Sequence, residues 1–214
     1  MVRLPVPSSV FRKLAVPAAV SLAAGLGVVV AAGPAFAAPA ADPTISVTYP
    51  VNGSTLIKKV NSSLTLGPGS LSTTADLTTG ALTASLTLPP ATGTFRELGI
   101  KVTATTELVA DGPTTGQVNF SASTVQSTSR VTLKLDSLKV GPVQLPVGKS
   151  CETITPATIS LTSGAGFNLL SGGPLSGTYR IPLFHHCGLA TALINLTIPG
   201  PGNTISLTLG AAQL

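Results

Sequence analysis

From residue 45 onward, the apolar side chains of this chain fall on every second position, in short runs broken by Gly, Pro and Asn. Leu82, Ala84, Leu86 and Leu88 alternate with Thr83, Ser85 and Thr87. Ile100, Val102 and Ala104 alternate with Lys101, Thr103 and Thr105, and Val131, Leu133 and Leu135 with Arg130, Thr132, Lys134 and Asp136. Ile205, Leu207 and Leu209 repeat the pattern near the end. Successive side chains of a strand point to opposite faces, so each run is a strand with one apolar side that must be covered. No stretch after residue 38 carries a helical period of useful length. The expected fold is therefore all-β, a single antiparallel β-sandwich or barrel.

The turn signals divide the chain further. Ile45, Val47 and Tyr49 form a first strand expected to end at Pro50 and turn at Asn52-Gly53. Leu64 and Leu66 form a second, stopped by Gly67-Pro68-Gly69, and Leu71 to Leu77 a polar third. Ala91 to Glu97 is read as a loop, and Val140 to Val147 as a Pro-interrupted edge. Ile194, Leu196 and Ile198 alternate with Leu193, Asn195 and Thr197, which predicts another strand. One stretch occurs twice. LTTGALTASLTLP, Leu77 to Pro89, aligns without a gap on LSGGPLSGTYRIP, Leu170 to Pro182. Gly80 then meets Gly173, Leu82 meets Leu175, Ser85 meets Thr178 and Pro89 meets Pro182. Asp111-Gly112-Pro113 before Val118 and Phe120 echoes Pro199-Gly200-Pro201 before Ile205 and Leu207. The echo predicts two related halves, about 45–125 and 130–214, each covering the apolar face of the other, within one domain spanning 45–214.

The N-terminus has a different character. Arg3, Arg12 and Lys13 precede an uncharged stretch from Leu14 to Ala32, and Ala35-Phe36-Ala37 follows. A positive start, an apolar middle and an A-x-A end describe a secretory signal over residues 1–37, cut after Ala37 and followed by a flexible leader, 38–44. The chain is then expected outside the cell or in the cell wall, with no transmembrane segment once the signal is removed. Losing those three cations takes the formal charge from +5 to +2, too little to predict nucleic-acid binding. In an oxidising compartment the only two cysteines, Cys151 and Cys187, are expected to pair. That bond would be worth roughly 4 kcal/mol in the chain-entropy model.

Reactive constellations are scarce. His185 and His186 stand next to Cys187 and are the only histidines. Neighbours on a strand face opposite ways, and a disulfide-bonded Cys187 cannot ligate, so no metal or cofactor is expected there. No G-x-S-x-G motif is present. The carboxylates (Asp42, Asp76, Glu97, Glu107, Asp111, Asp136 and Glu152) sit beside turns or at outward positions. No catalytic residue is assigned.

LTTGALTASLTLPPATG, VADGPTTGQVN, the cysteine after Val147-Gly148-Lys149-Ser150, the Cys187–Thr191 segment CGLAT and IPGPGNTISL together resemble secreted all-β proteins of actinobacteria. That resemblance carries no named activity; it implies export and a single domain. The expected function is that of a non-catalytic envelope or extracellular protein binding an apolar or amphipathic ligand, such as a lipid, or a cell-wall component. Leu86, Leu133, Leu135, Ile181 and Ile194 are the candidates to line its cavity. The alternative is an adhesin-like surface protein with a filled core, and an enzyme comes third.

Overall fold

The computed structural model describes residues 43–164 and 166–214, so the expected signal, 1–37, and most of the leader lie outside the described residues. The alternating runs form thirteen strands whose pairings are all antiparallel. They are β1 (Thr44–Ile57), β2 (Ser62–Asp76), β3 (Ala81–Thr87), β4 (Ala91–Glu97), β5 (Ile100–Ala110), β6 (Thr114–Asn119) and β7 (Thr124–Val140). There follow β8 (Val143–Leu145), β9 (Glu152–Thr153), β10 (Ala157–Ser163), β11 (Gly173–Ile181), β12 (Phe184–His185) and β13 (Gly200–Leu209). One short helix, α1 (Thr191–Thr197), precedes the last strand. No helix among the described residues is long and apolar enough to cross a membrane.

Eight strands close into a barrel in the order β2, β3, β6, β7, β10, β11, β13, β1, with β1 returning to β2. The two echoing segments take matching places in that order. β3 lies between β2 and β6, and β11 lies between β10 and β13. The strand sets, however, divide elsewhere than at residues 125–130. β7 runs through that point unbroken, and β1 stands beside β13.

The long strands do more than close the barrel. The first half of β7 pairs with β6 and β10. Its second half pairs with β5, which carries β4 on its other edge. β4 folds back over β2, where Gly93 lies against the Leu64 side chain and Ser62 Oγ donates to the Thr94 carbonyl at 3.1 Å. One end of the barrel is thus extended by a second wall.

Four local expectations are corrected. β1 passes straight through Pro50 and Asn52-Gly53, and β2 through Gly67-Pro68-Gly69; the register slips between Val51 and Gly53. Partners on both sides of β1 override the local turn signal. Gly53 is needed for close approach, since a Cβ there would stand 2.2 Å from the Ser206 carbonyl oxygen. Residues 91–97 are a strand, not a loop, with Ala91, Gly93 and Phe95 turned inward. Residues 191–197 are helix, not strand. Ile194 and Ile198 are four apart, a spacing that fits both periodicities. The helix is selected by its neighbours: Asn195 binds the backbone of Phe184 twice, accepting from its N–H at 2.7 Å and donating to its carbonyl at 2.9 Å.

Cys151 and Cys187 are joined, with Cα atoms 4.4 Å apart and both side chains fully buried. The Cys151 carbonyl accepts from Leu135 N–H on β7 at 2.8 Å. The bond therefore fastens the segment leading into α1 to the barrel wall. Outside, neutral hydroxyls pair across strands, as in Ser46 with Thr74 (3.0 Å) and Thr92 with Thr105 (3.0 Å).

Candidate functional site

The barrel interior is predominantly apolar. Among the described residues no charged side chain is buried; the buried polar ones are Thr55, Ser62, Thr73, Thr153, Ser163 and Asn203. Inward positions of the alternating strands supply Leu, Ile and Val, which interdigitate imperfectly and leave a row of small cavities. The first, about 60 Å³, is walled by Ile57, Leu64, Phe95, Leu133, Leu135 and Ile181. The second, about 50 Å³, lies toward the other end, between Leu71, Thr73, Leu82, Leu86 and Leu175. A narrow waist, a space of about 30 Å³, lies between them: it shares Leu108, Ile159 and Ile205 with the first and Leu86, Leu161 and Leu207 with the second, and the exposed Ala110 and Arg130 edge it.

A fourth cavity, about 140 Å³, sits under the turn between β4 and β5, against the end of β7 and α1. Leu98, Ile100, Val140, Leu193 and Ile194 line it. Phe95 and Ile198 wall both this cavity and the first. Each of the four spaces thus shares wall residues with the next, in a series from the second wall down the barrel. A separate, more polar hollow of about 270 Å³ lies between Phe120 and Leu170.

The sequence-derived lining residues distribute along this series. Leu133, Leu135 and Ile181 meet in the first cavity, and Leu86 serves the second and the waist. Ile194 faces the fourth cavity from α1, outside the barrel proper, because its segment is helical. Phe95 and Leu98 were missed with the β4 loop, although Ala91, Gly93 and Phe95 do alternate. Thr73 was hidden in a strand read as merely polar.

Several polar groups along these spaces are hydrogen-bonded. Tyr49 Oη donates to the Leu169 carbonyl at 2.6 Å. Thr55 Oγ1 donates to the Thr204 carbonyl at 2.9 Å and so accepts from Tyr179 Oη at 2.8 Å. Burial raises both phenols above their ordinary pKa. Thr114 and Ser129 hydroxyls pair at 2.7 Å. Thr73 Oγ1 is buried, lines the second cavity and has no hydrogen-bond partner among the described residues.

The histidine pair is arranged otherwise than strand alternation suggests. His186 has φ of 54°, which brings its ring onto that of His185, stacked with centroids 4.0 Å apart. His185 Nε2 is 3.8 Å from Glu152. With Cys187 in the disulfide, no group of three potential metal ligands occurs among the described residues. No family model, no curated protein and no solved structure matches the chain.

Proposed function

We propose that the chain is exported and that its barrel takes up an apolar or amphipathic ligand with one slender chain, without acting chemically on it. The observation that carries this reading is the column: four apolar cavities in a row, each sharing wall residues with the next. Binding pockets are mostly apolar with a few convergent polar groups, and here Thr73 offers a hydroxyl left free by the protein. The narrow waist selects a single acyl or isoprenoid-like chain over a ring system, and leucine rotamers along it give the room to widen. The wider cavity beneath α1 is the entrance. Export fits the N-terminal pattern and the Cys151–Cys187 bond, which persists in oxidising compartments.

A second reading is favoured by the small size of each cavity: a filled barrel that acts through its outer surface, on the cell wall or a matrix. Native mass spectrometry before and after organic extraction separates the two. The expected result is a discrete extra mass removed by extraction, on a chain beginning at Ala38. A bare mass from the native source, unchanged by extraction, would overturn the carrier reading in favour of the second.

A further inference from the structure

The mouth of the column carries a second feature that cargo binding does not require. β4 and β5 are joined by the two-residue turn Leu98-Gly99, with φ of 50° and 81°. Such a turn needs left-handed backbone at both positions and favours Asn, Asp or Gly at the first. Leucine occupies it here and is 94% exposed. Neither backbone preference nor burial accounts for a leucine at this tip. Ile100 beside it is half exposed, and across the mouth α1 turns Leu193 and Leu196 outward, Leu196 to 73%. Leu193 and Leu196 are three apart and share a helix face. Leu98, Ile100 and Leu193 line the fourth cavity, so this apolar rim surrounds the entrance.

The rim is bordered by cations. Arg96 and Lys101 stand directly opposite each other on β4 and β5, and Lys139 lies on the adjoining stretch of β7. Like charges facing across a hairpin destabilise it. Lys58 and Lys59 lie in the 3-10 turn between β1 and β2, where Lys59 Nζ reaches the Pro199 carbonyl, two residues past α1. None of these five takes part in the ion pairs found among the described residues, which use Asp111, Glu107, Asp136 and Glu152. Among the described residues Glu97 is the one acid lining the mouth.

Exposed leucines at a tip with unpaired cations around them match the interface of a bilayer bearing anionic headgroups, where apolar side chains enter the acyl boundary and Lys and Arg meet phosphate. We infer that this end of the molecule docks on an anionic membrane surface, with the column entrance facing the lipid. A second copy of the chain is disfavoured as occupant, because two such ends would bring like charges together.

Vesicle flotation tests this with the full chain, exported through its own N-terminal segment. The protein should float with vesicles of mixed phosphatidylglycerol and phosphatidylcholine and stay behind with phosphatidylcholine alone. Leu98→Ser with Leu196→Ser, and separately Lys101→Glu with Lys139→Glu, should each weaken binding about tenfold or more. All four positions are exposed, so an unchanged melting curve verifies that the variants fold. The chain has no tryptophan, which makes Leu98→Trp a clean reporter. Its emission should shift to the blue and be quenched by brominated acyl chains, while Leu170→Trp in the hollow near Phe120 should not respond. No flotation, variants that bind like wild type, or a dimer that ignores vesicles would each overturn the inference. Flotation needs no cargo: an empty barrel in the mass spectrum leaves docking standing, and a loaded barrel that ignores vesicles sinks docking alone.

Discussion

Asn203 concentrates more structural work than any other polar side chain of the interior. It is almost fully buried at the start of β13. Its Oδ1 accepts from Lys58 N–H at 3.0 Å, and its Nδ2 donates to the carbonyls of Gly200 (2.9 Å) and Tyr179 (3.3 Å). One side chain thus joins β11, the entry to β13 and the turn after β1. Asn203→Ala would leave buried backbone groups unpaired, at a cost of about 3 kcal/mol. A thermal melt should show Tm falling by roughly 6–12 °C; a shift of a degree or less would mean the backbone groups find water or each other. Thr73 is the converse case, a buried hydroxyl that contributes no bond to the fold.

At the scale of elements, the disulfide holds the lobe that bears α1. Its two ends are 36 residues apart, which gives a stabilisation of about 4 kcal/mol in the chain-entropy model. Cys151→Ala with Cys187→Ala should lower Tm by roughly 8–16 °C. Amide exchange should rise most in 184–198, ahead of the barrel strands; a uniform rise would show that the bond stabilises only the whole. Legibility also differed by element. β3, β5, β7 and β13 could be read directly because clean alternation coincides with one buried face. β4 could not, because Gly93 occupies an inward position where Leu64 fills the space. The continuity of β1 and β2 was invisible because turn residues there serve a bulge and a close approach, which only long-range partners create. α1 was missed because Ile194 and Ile198 satisfy two periods and the deciding contact, Asn195 with Phe184, is tertiary. Of the candidate site, Leu86, Leu133, Leu135 and Ile181 were legible as inward strand positions, but Ile194 was placed on a strand that is helix, and the mouth is built from the two misread elements.

The whole molecule offers a spectroscopic test of its unity. Its only two tyrosines lie in different cavities, Tyr179 in the first and Tyr49 in the second. Burial raises both above the ordinary phenol value. A raised folded pKa means the stability these groups confer is complete below the unfolded value, about 10, and is lost as pH rises through the folded value. Alkaline titration should therefore show little tyrosinate below that range. Both phenols should then ionise together in one steep step coincident with loss of the far-UV signal. Two separate steps would mean that the ends of the barrel open independently.

Closure has a consequence for how the chain comes into being. The first strand pairs with the last: Val51 to Leu56 on β1 lies along Thr204 to Leu209 on β13. On the far side of the ring β7 pairs with β10, which follows it after only two short strands. While the polypeptide is still emerging from the ribosome, β1 can meet β2 but has nothing on its other edge, and the ring cannot shut until β13 is made. The hairpins β1–β2, β2–β3 and β4–β5 can pair beforehand, so what waits for β13 is the sealing of the ring and not the making of its walls.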